Sequence, residues 1–450
     1  MARTPRFHSD HLLMLQGASW VVLFVFLGKL VGAAKEMAIA YQFGVSSIVD
    51  AYQVAFVTVT WLPTTLVAAL STVLVPLFMQ VRFESAESET LFVREVQGVM
   101  LVFGILLVLL TILAGGFYVN RIAGNLPSGT KTLAIHFALG LSPVAALTLI
   151  IGVLSARLQS HGKQLNTLFE GIPALAIMVC ILLPLFSLGS DALLWGTLAG
   201  FILNAVLLSV VASSNDGVGW KGSFKMTSPH WSEMYKAVSV MAFGQFVMSF
   251  VTPLDQYMAA QLPAGSIATL GYANRLLGLG LSIGAMAIAR GAMPVLANAI
   301  AQGNNAHACS LALKWSFVML IVGILTVVVG WFLTPYAVRF MFERGAFTAT
   351  DTVAVTTCLR WGLLQVPGYF SGLVLVQLFA SLRQYHFVAL VACGNFVVKL
   401  LVSLILMRYL GLAGLMMASG VMYLFAYLCC WLRVNYIKSN VSHIGLGSGL

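Results

Sequence analysis

The chain has 450 residues, of which 60% are hydrophobic and only 8% are charged. A soluble domain carries about 25% charged residues, so the composition excludes a water-soluble globular protein and points to one that crosses a membrane many times. The formal net charge of +10 does not indicate nucleic-acid binding, because the bases are scattered and form neither a tail nor a patch interleaved with aromatic residues.

The N-terminal "MARTPRFHSDH" is basic. The apolar stretch after it is too long for a signal-peptide core and has no small-residue cleavage site, so it reads as a retained first span. A span needs roughly 20 mostly apolar residues. Such stretches fall at 12–40, 51–79, 96–118, 132–156, 166–187 and 192–213, then at 237–261, 267–297, 311–334, 351–381, 387–408 and 411–434. The predicted fold is an all-α polytopic membrane protein of about twelve transmembrane helices. The longest connection, 214–236, carries Trp220 and Trp231, which read as membrane-interface residues. With the N-terminus inside, thirteen bases fall in inner connections and five in outer ones. The positive-inside rule then places both termini in the cytoplasm.

Two stretches half a chain apart are alike. "SARLQSH" (155–161) follows the fourth span and "ASLRQYH" (380–386) the tenth; Pro76 near the end of the second span has a counterpart in Pro294 near the end of the eighth. Six spans per half give both halves one orientation. Parallel repeats of this kind are related by an axis along the membrane normal. The expected organisation is an N-lobe (1–213), a cytoplasmic linker (214–236) and a C-lobe (237–450), two six-helix lobes about a central cavity. Chance similarity of two short loops is the competing explanation.

Charges inside spans carry the functional signal, because each costs a few kcal/mol in lipid and such groups nearly always face protein or water. The first span holds Lys29, Lys35 and Glu36 in "LGKLVGAAKE". Lys29 and Glu36 are seven residues apart and share a helix face, with Lys35 about 120° round. Lys35 and Glu36 also suit an ordinary interfacial pair. The seventh span carries Asp255, and the eighth carries Arg275 and Arg290. Asp255 and Arg275 could neutralise one another. Even so, these three spans hold four bases (Lys29, Lys35, Arg275, Arg290) against two acids (Glu36, Asp255). A cavity with that surplus attracts an anion, and phosphate is the anion that Arg and Lys suit best. His136 and Glu170 read as proton sites or as residues satisfied within the bundle. Asp351 suits a helix start, and Lys399 suits a second pocket or a lipid contact. The six cysteines lack metal spacing and read as small core residues.

The stretch "GKLVGAAKEMAIAYQFGVSSIVDAYQVAF" resembles the first helices of the MurJ/MviN family, lipid II flippases of the multidrug/oligosaccharidyl-lipid/polysaccharide exporter superfamily. The resemblance rests on Lys29, Gly32, Lys35-Glu36, Phe43-Gly44 and Asp50-Ala51-Tyr52. Three further stretches match, "AALSTVLVP" (68–76), "LPAGSIATLGYANRLLGLGL" (262–281) and "FERGAFTATDT" (342–352). It implies a flippase that moves an undecaprenyl-diphosphate-linked saccharide from the cytoplasmic to the periplasmic leaflet of the bacterial inner membrane by alternating access. Lys29, Lys35 and Arg275 would hold the diphosphate. Glu36, Asp50, Asp255 and Arg290 would be cavity or gating charges, with Asp50 at the outer gate. No cofactor is implied; drive would come from membrane potential, protons or sodium. The implied partners are the lipid-linked glycan, membrane lipid and the polysaccharide or peptidoglycan synthesis machinery, and a monomer is the default for this architecture.

The sequence departs from the family pattern in places. Lysines stand at 29 and 35 where arginines are usual, Leu62-Pro63 occupies the place of an Arg pair, Val67 that of an acid, and the chain ends after twelve spans. These departures favour an envelope or exopolysaccharide repeat unit over lipid II as cargo. A cation-coupled drug exporter of the multidrug and toxin extrusion type is the rival transporter, and its cationic substrates would disfavour a basic first helix. An enzyme is disfavoured: no nucleophile motif, zinc spacing, Walker A loop or nucleotide fingerprint occurs.

Overall fold

A computed structural model describes residues 27–123, 125–163, 165–183, 189–219, 221–301, 305–382 and 384–446. Among these, α1 covers 27–43. It is followed by α2 (Ser47–Glu84), α3 (Ala86–Ile122), α4 (Ser128–Leu141), α5 (Pro143–Ser160), α6 (Leu165–Phe169), α7 (Ile172–Leu182) and α8 (Asp191–Asp216). Then come α9 (Trp231–Ser249), α10 (Val251–Ala259), α11 (Ser266–Ala301), α12 (Asn305–Phe342), α13 (Ala349–Leu363), α14 (Gln365–Ser381), α15 (Tyr385–Leu410) and α16 (Leu412–Leu446). Expectations for residues 12–26, Trp220 and the side chain of Arg290 lie outside the described residues.

Helices outnumber the predicted spans because four spans are broken, each beside a proline. The breaks fall at Ser142, before Pro143; at Gly171, before Pro173; at Phe250, before Pro253; and at Leu364, before Pro367. In the first turn of a helix the missing proline N–H forfeits no internal bond, so each proline opens a new segment at little cost. The linking residues keep helical dihedrals, such as φ −51°, ψ −36° at Ser142 and φ −59°, ψ −15° at Leu364. Each pair is therefore one bent rod, so the sixteen described helices reduce to twelve rods, and eight of the described helical stretches are long and apolar enough to cross a membrane. The fourth and tenth spans share this bent form. The register of the two heptapeptides would put the second break at Pro367, but it falls at Leu364. His161 lies just past the end of α5, whereas His386 lies inside α15.

The chain clusters into two compact units. Unit 1 comprises 1–39, 58–116 and 135–238; unit 2 comprises 40–57, 117–134 and 239–450. In unit 1, Leu70, Leu74 and Phe78 of α2 pack on Phe92 and Val96 of α3 and on Trp231 and Met234 of α9. In unit 2, Leu296 of α11, Ala308 and Ala312 of α12, Leu375 and Phe379 of α14 and Cys430 of α16 form one core cluster. The small residues let backbones approach closely, which drives helix association where lipid is as apolar as the protein. Gly196 and Gly200 do this on α8: a Cβ there would lie 2.7 Å from the Ile177 Cα and 2.6 Å from the Pro173 Cα of α7. The outer faces remain apolar, with Leu325, Val329, Phe332 and Phe340 of α12 exposed, as lipid contact requires.

Polar ties close unit 1 where its apolar packing ends. Arg157, 1% exposed, donates from Nε and Nη2 to both carboxylate oxygens of Asp216 (2.9 and 2.7 Å) and from Nη2 to the Val218 carbonyl (2.7 Å). Glu95 of α3, fully buried, accepts from Thr227 N (2.8 Å), Thr227 Oγ1 (2.5 Å), Ser228 N (3.1 Å) and Trp231 Nε1 (2.7 Å). Trp231 is thus not an interface residue as the sequence suggested. It is 6% exposed and stacks edge-on against Phe92 at 5.7 Å, because Glu95 satisfies its indole N–H inside the protein.

Candidate functional site

The functional residues fall into two groups, one in each unit. In unit 1, α1 runs against the break between α6 and α7. The two backbones nearly touch, since a Cβ on Gly171 would sit 3.7 Å from the Gly28 Cα and 3.7 Å from the Val31 Cβ. A side chain at either glycine would meet its neighbours at ordinary van der Waals distance. The approach brings Lys29 close enough to Glu170 for its charge to act on that carboxylate. Two turns along, Lys35 Nζ lies 2.6 Å from Glu36 Oε1, with side-chain exposures of 13% and 8%. The pair is buried in the protein and does not snorkel outward from an exposed face.

The charge balance differs from the one the sequence suggested. Lys35 is paired with Glu36, and the charge of Lys29 acts on Glu170, an acid outside the count made from the sequence. Asp255 of α10 pairs with Lys399 of α15 at 2.8 Å, where the sequence had offered Arg275 as its neutraliser. Lys399 is fully buried and belongs neither to a lipid contact nor to an open pocket. Arg275 of α11 is exposed. His136 lies 3.4 Å from Asp191, with both side chains largely exposed. Asp351 forms a capping box with Thr348 at the start of α13, as its position in the sequence suggested.

In unit 2, three of the stretches that carried the family resemblance converge. Asp50, fully buried near the start of α2, accepts from the backbone N–H groups of Gly265 (2.6 Å) and Ala268 (2.7 Å). These are orphan donors at the N-terminus of α11, so a residue from another helix supplies the cap. Gly265 makes the turn at φ +87°, a conformation that favours glycine. One turn on, Tyr272 donates its hydroxyl to the Gly44 carbonyl (2.9 Å), and Ala346 N donates to the Tyr41 carbonyl (2.8 Å). Tyr272, Phe342 and Phe347 form an aromatic trio with ring centres 5.0–5.6 Å apart. Asp50 and Tyr272 together fix the position and rotation of the first turns of α11. Arg275, three residues beyond Tyr272, is carried on that anchored segment.

Replacing Asp50 with alanine strips two buried N–H groups of a charged acceptor. Hydrogen bonds to charged groups are worth about 1.5–3 kcal/mol each, so losing both in Asp50→Ala lowers stability by about 3–6 kcal/mol. The loss is read as a fall in the thermal midpoint of the detergent-solubilised protein. Asp50→Asn retains one acceptor and recovers part of the loss; an unchanged midpoint in Asp50→Ala would exclude the cap.

The departures from the family pattern are structural as well. Pro63 is buried inside α2, and Val67 presses on α5, where a Cβ added to Gly152 would meet its Cγ2 at 2.6 Å. Both places are occupied by apolar packing. Among the described residues no group of three or more His, Cys, Asp or Glu side chains is placed to hold a metal ion.

Known proteins share both the sequence pattern and the fold. A family profile described as "MurJ: Lipid II flippase MurJ" matches residues 39–447. A curated relative, the probable lipid II flippase MurJ of Bdellovibrio bacteriovorus, is 28% identical over 265 residues, covering 56% of this chain and 49% of that protein. The alignments with the first three curated relatives span 49–65% of those proteins' own lengths. Among solved structures, a lipid II flippase MurJ in an inward closed conformation superposes with a TM-score of 0.79 at 21% identity, covering 92% of this chain and 87% of that one. An inward-facing multidrug resistance transporter of the MATE family superposes with a TM-score of 0.76 at 15% identity, over 92% of this chain and 96% of the other.

Proposed function

Because the chain belongs to the MurJ lipid II flippase family, we propose that it moves an undecaprenyl-diphosphate-linked saccharide, lipid II in the first instance, from the cytoplasmic to the periplasmic leaflet. The observation that carries this reading is a membrane helix, α1, that bears an exposed ammonium, Lys29, whose charge acts on Glu170, and a mostly buried one, Lys35, paired with Glu36. Such charges are tolerated where water or an anionic ligand reaches them. Taking a glycosylated diphosphate through hydrocarbon unaided is prohibitive, and cations that replace its water lower that barrier.

In this reading Lys29, Lys35 and Arg275 bind the diphosphate, while the prenyl tail stays among the lipids. Glu36 and Glu170 hold the lysines when no substrate is bound. The diphosphate displaces them by offering more charge and more acceptor oxygens. Asp50 latches the start of α11 at the outer end and releases it when the transporter opens outward by alternating access. Arg290 adds positive charge further along α11. Membrane potential, protons or sodium drive the cycle. The protein works as a monomer in the bacterial inner membrane with both termini in the cytoplasm, next to the peptidoglycan synthesis machinery.

A second reading has a specific observation behind it. Apolar packing at Leu62-Pro63 and Val67 removes the charges that family members place there, which favours a head group other than that of lipid II. Depletion of the protein separates the two readings. The expected result is accumulation of lipid II on the inner face of the membrane. Accumulation of a different lipid-linked glycan would favour the second reading, and no accumulation of either would overturn both. A drug exporter of the MATE type, the remaining alternative, would bind cationic dyes in preference to polyprenyl diphosphates.

A further inference from the structure

The most completely buried cation in the described part of unit 2 is outside the proposed binding site. Lys399 sits in the middle of α15 with 0% exposure. Its Nζ meets three oxygens of different kinds from two other helices. These are the Asp255 carboxylate of α10 (2.8 Å), the Leu415 carbonyl of α16 (3.0 Å) and the Ser419 hydroxyl of α16 (2.7 Å). An ammonium has three N–H donors and no acceptor, so these contacts use its full capacity. The surroundings nevertheless offer more oxygen than that. Asn395 and Ser403, one turn before and one turn after Lys399, lie on the same face of α15. They are 8% and 0% exposed, and Asn395 Oδ1 and Ser403 Oγ have no hydrogen-bond partner.

A carboxylate, a main-chain carbonyl, a hydroxyl and a side-chain amide oxygen are the hard oxygen donors that bind simple cations. A purely structural lysine would need only its carboxylate and enough hydrogen bonds to fill its three donors. Here the three oxygens on the ammonium and the two unpartnered ones on the same face of α15 make five, two more than those donors can engage. We infer that the junction of α10, α15 and α16 is a monovalent-cation site in which the tethered ammonium of Lys399 stands in for the ion. The junction is therefore held together without a soluble cation, and any ion that couples to transport acts elsewhere. The inference is independent of which glycan is carried, so a failed depletion experiment leaves it standing.

The test compares sodium and potassium with N-methylglucamine at constant ionic strength, using the full-length protein in detergent. The wild-type thermal midpoint does not depend on which cation is present. Lys399→Ala leaves Asp255 buried without a partner, and its midpoint falls in N-methylglucamine by roughly 5–10 °C. Sodium, potassium or methylammonium restores it along a saturable curve, as binding to the folded state requires. The double variant Asp255→Asn with Lys399→Ala removes the charge that calls for an ion and loses the cation response. A Lys399→Ala midpoint equally low in every cation would overturn the inference. If Lys399→Ala does not accumulate, the wild-type arm still decides, since a saturable rise with sodium in the unaltered protein would show an ion site that Lys399 does not fill. Full cation sensitivity in the double variant would also overturn it.

Discussion

Lys29→Ala stops translocation of the lipid-linked saccharide while membrane insertion and the amount of folded protein stay unchanged. Lys29 lies at the face where α1 meets the break between α6 and α7, and its charge acts on Glu170. The side chain is exposed, so its removal leaves no cavity in the packing. Removing the ammonium takes away one of the cations that replace the water of the diphosphate. One charge-assisted contact is worth about tenfold to a hundredfold in binding. The effect on transport is at least as large, because the head group must be held at the depth where hydrocarbon would otherwise surround it. Arg275→Ala acts in the same direction from α11. Lys29→Arg keeps the charge and retains activity. The measurement is complementation of a depleted strain, with the inner-leaflet glycan quantified and the membrane content of the variant checked by immunoblot. Normal translocation in both alanine variants would reject the anion site.

Arg157→Ala unfolds or severely destabilises unit 1. Arg157 and Asp216 are 1% and 3% exposed and share two parallel contacts, with a third to the Val218 carbonyl. Asp216 also accepts from Val218 N at 2.9 Å, so the pair organises the turn that ends α8 as well as joining it to α5. Deleting one partner of a buried ion pair leaves an uncompensated charge and costs about 3–5 kcal/mol, a large fraction of the net stability of a typical domain. Arg157→Lys does not restore it, because an ammonium cannot reproduce the planar fork. The expected readout is a sharp loss of monodisperse protein on size exclusion and a lowered thermal midpoint. Asp216→Asn is milder, since the amide oxygen still accepts from the guanidinium. A midpoint for Arg157→Ala within a degree of the wild type would refute this account.

Which parts of the molecule were legible in the sequence depends on the range of the interactions involved. The spans could be read because burial in lipid is decided by local composition. The four bends could have been read from Pro143, Pro173, Pro253 and Pro367, since proline acts on its own turn of helix. The capping box of Thr348 and Asp351 is local too, and Asp351 was correctly placed at a helix start. The similar heptapeptides pointed to matching halves, yet His161 and His386 occupy different places relative to their helix ends. Seven residues do not fix the alignment of two long helices.

Composition and periodicity alone established a many-span helical membrane protein with basic residues where lipid would be expected, and the motifs of α1 and α11 pointed to its family. Tertiary structure alone decided the partners of the charges. It joined Asp255 to Lys399, Glu95 to Trp231, Arg157 to Asp216 and Asp50 to the start of α11. The reason is physical. A buried charge must be satisfied wherever a complementary group comes within about 3 Å, and which group does so depends on how helices far apart in sequence are packed together.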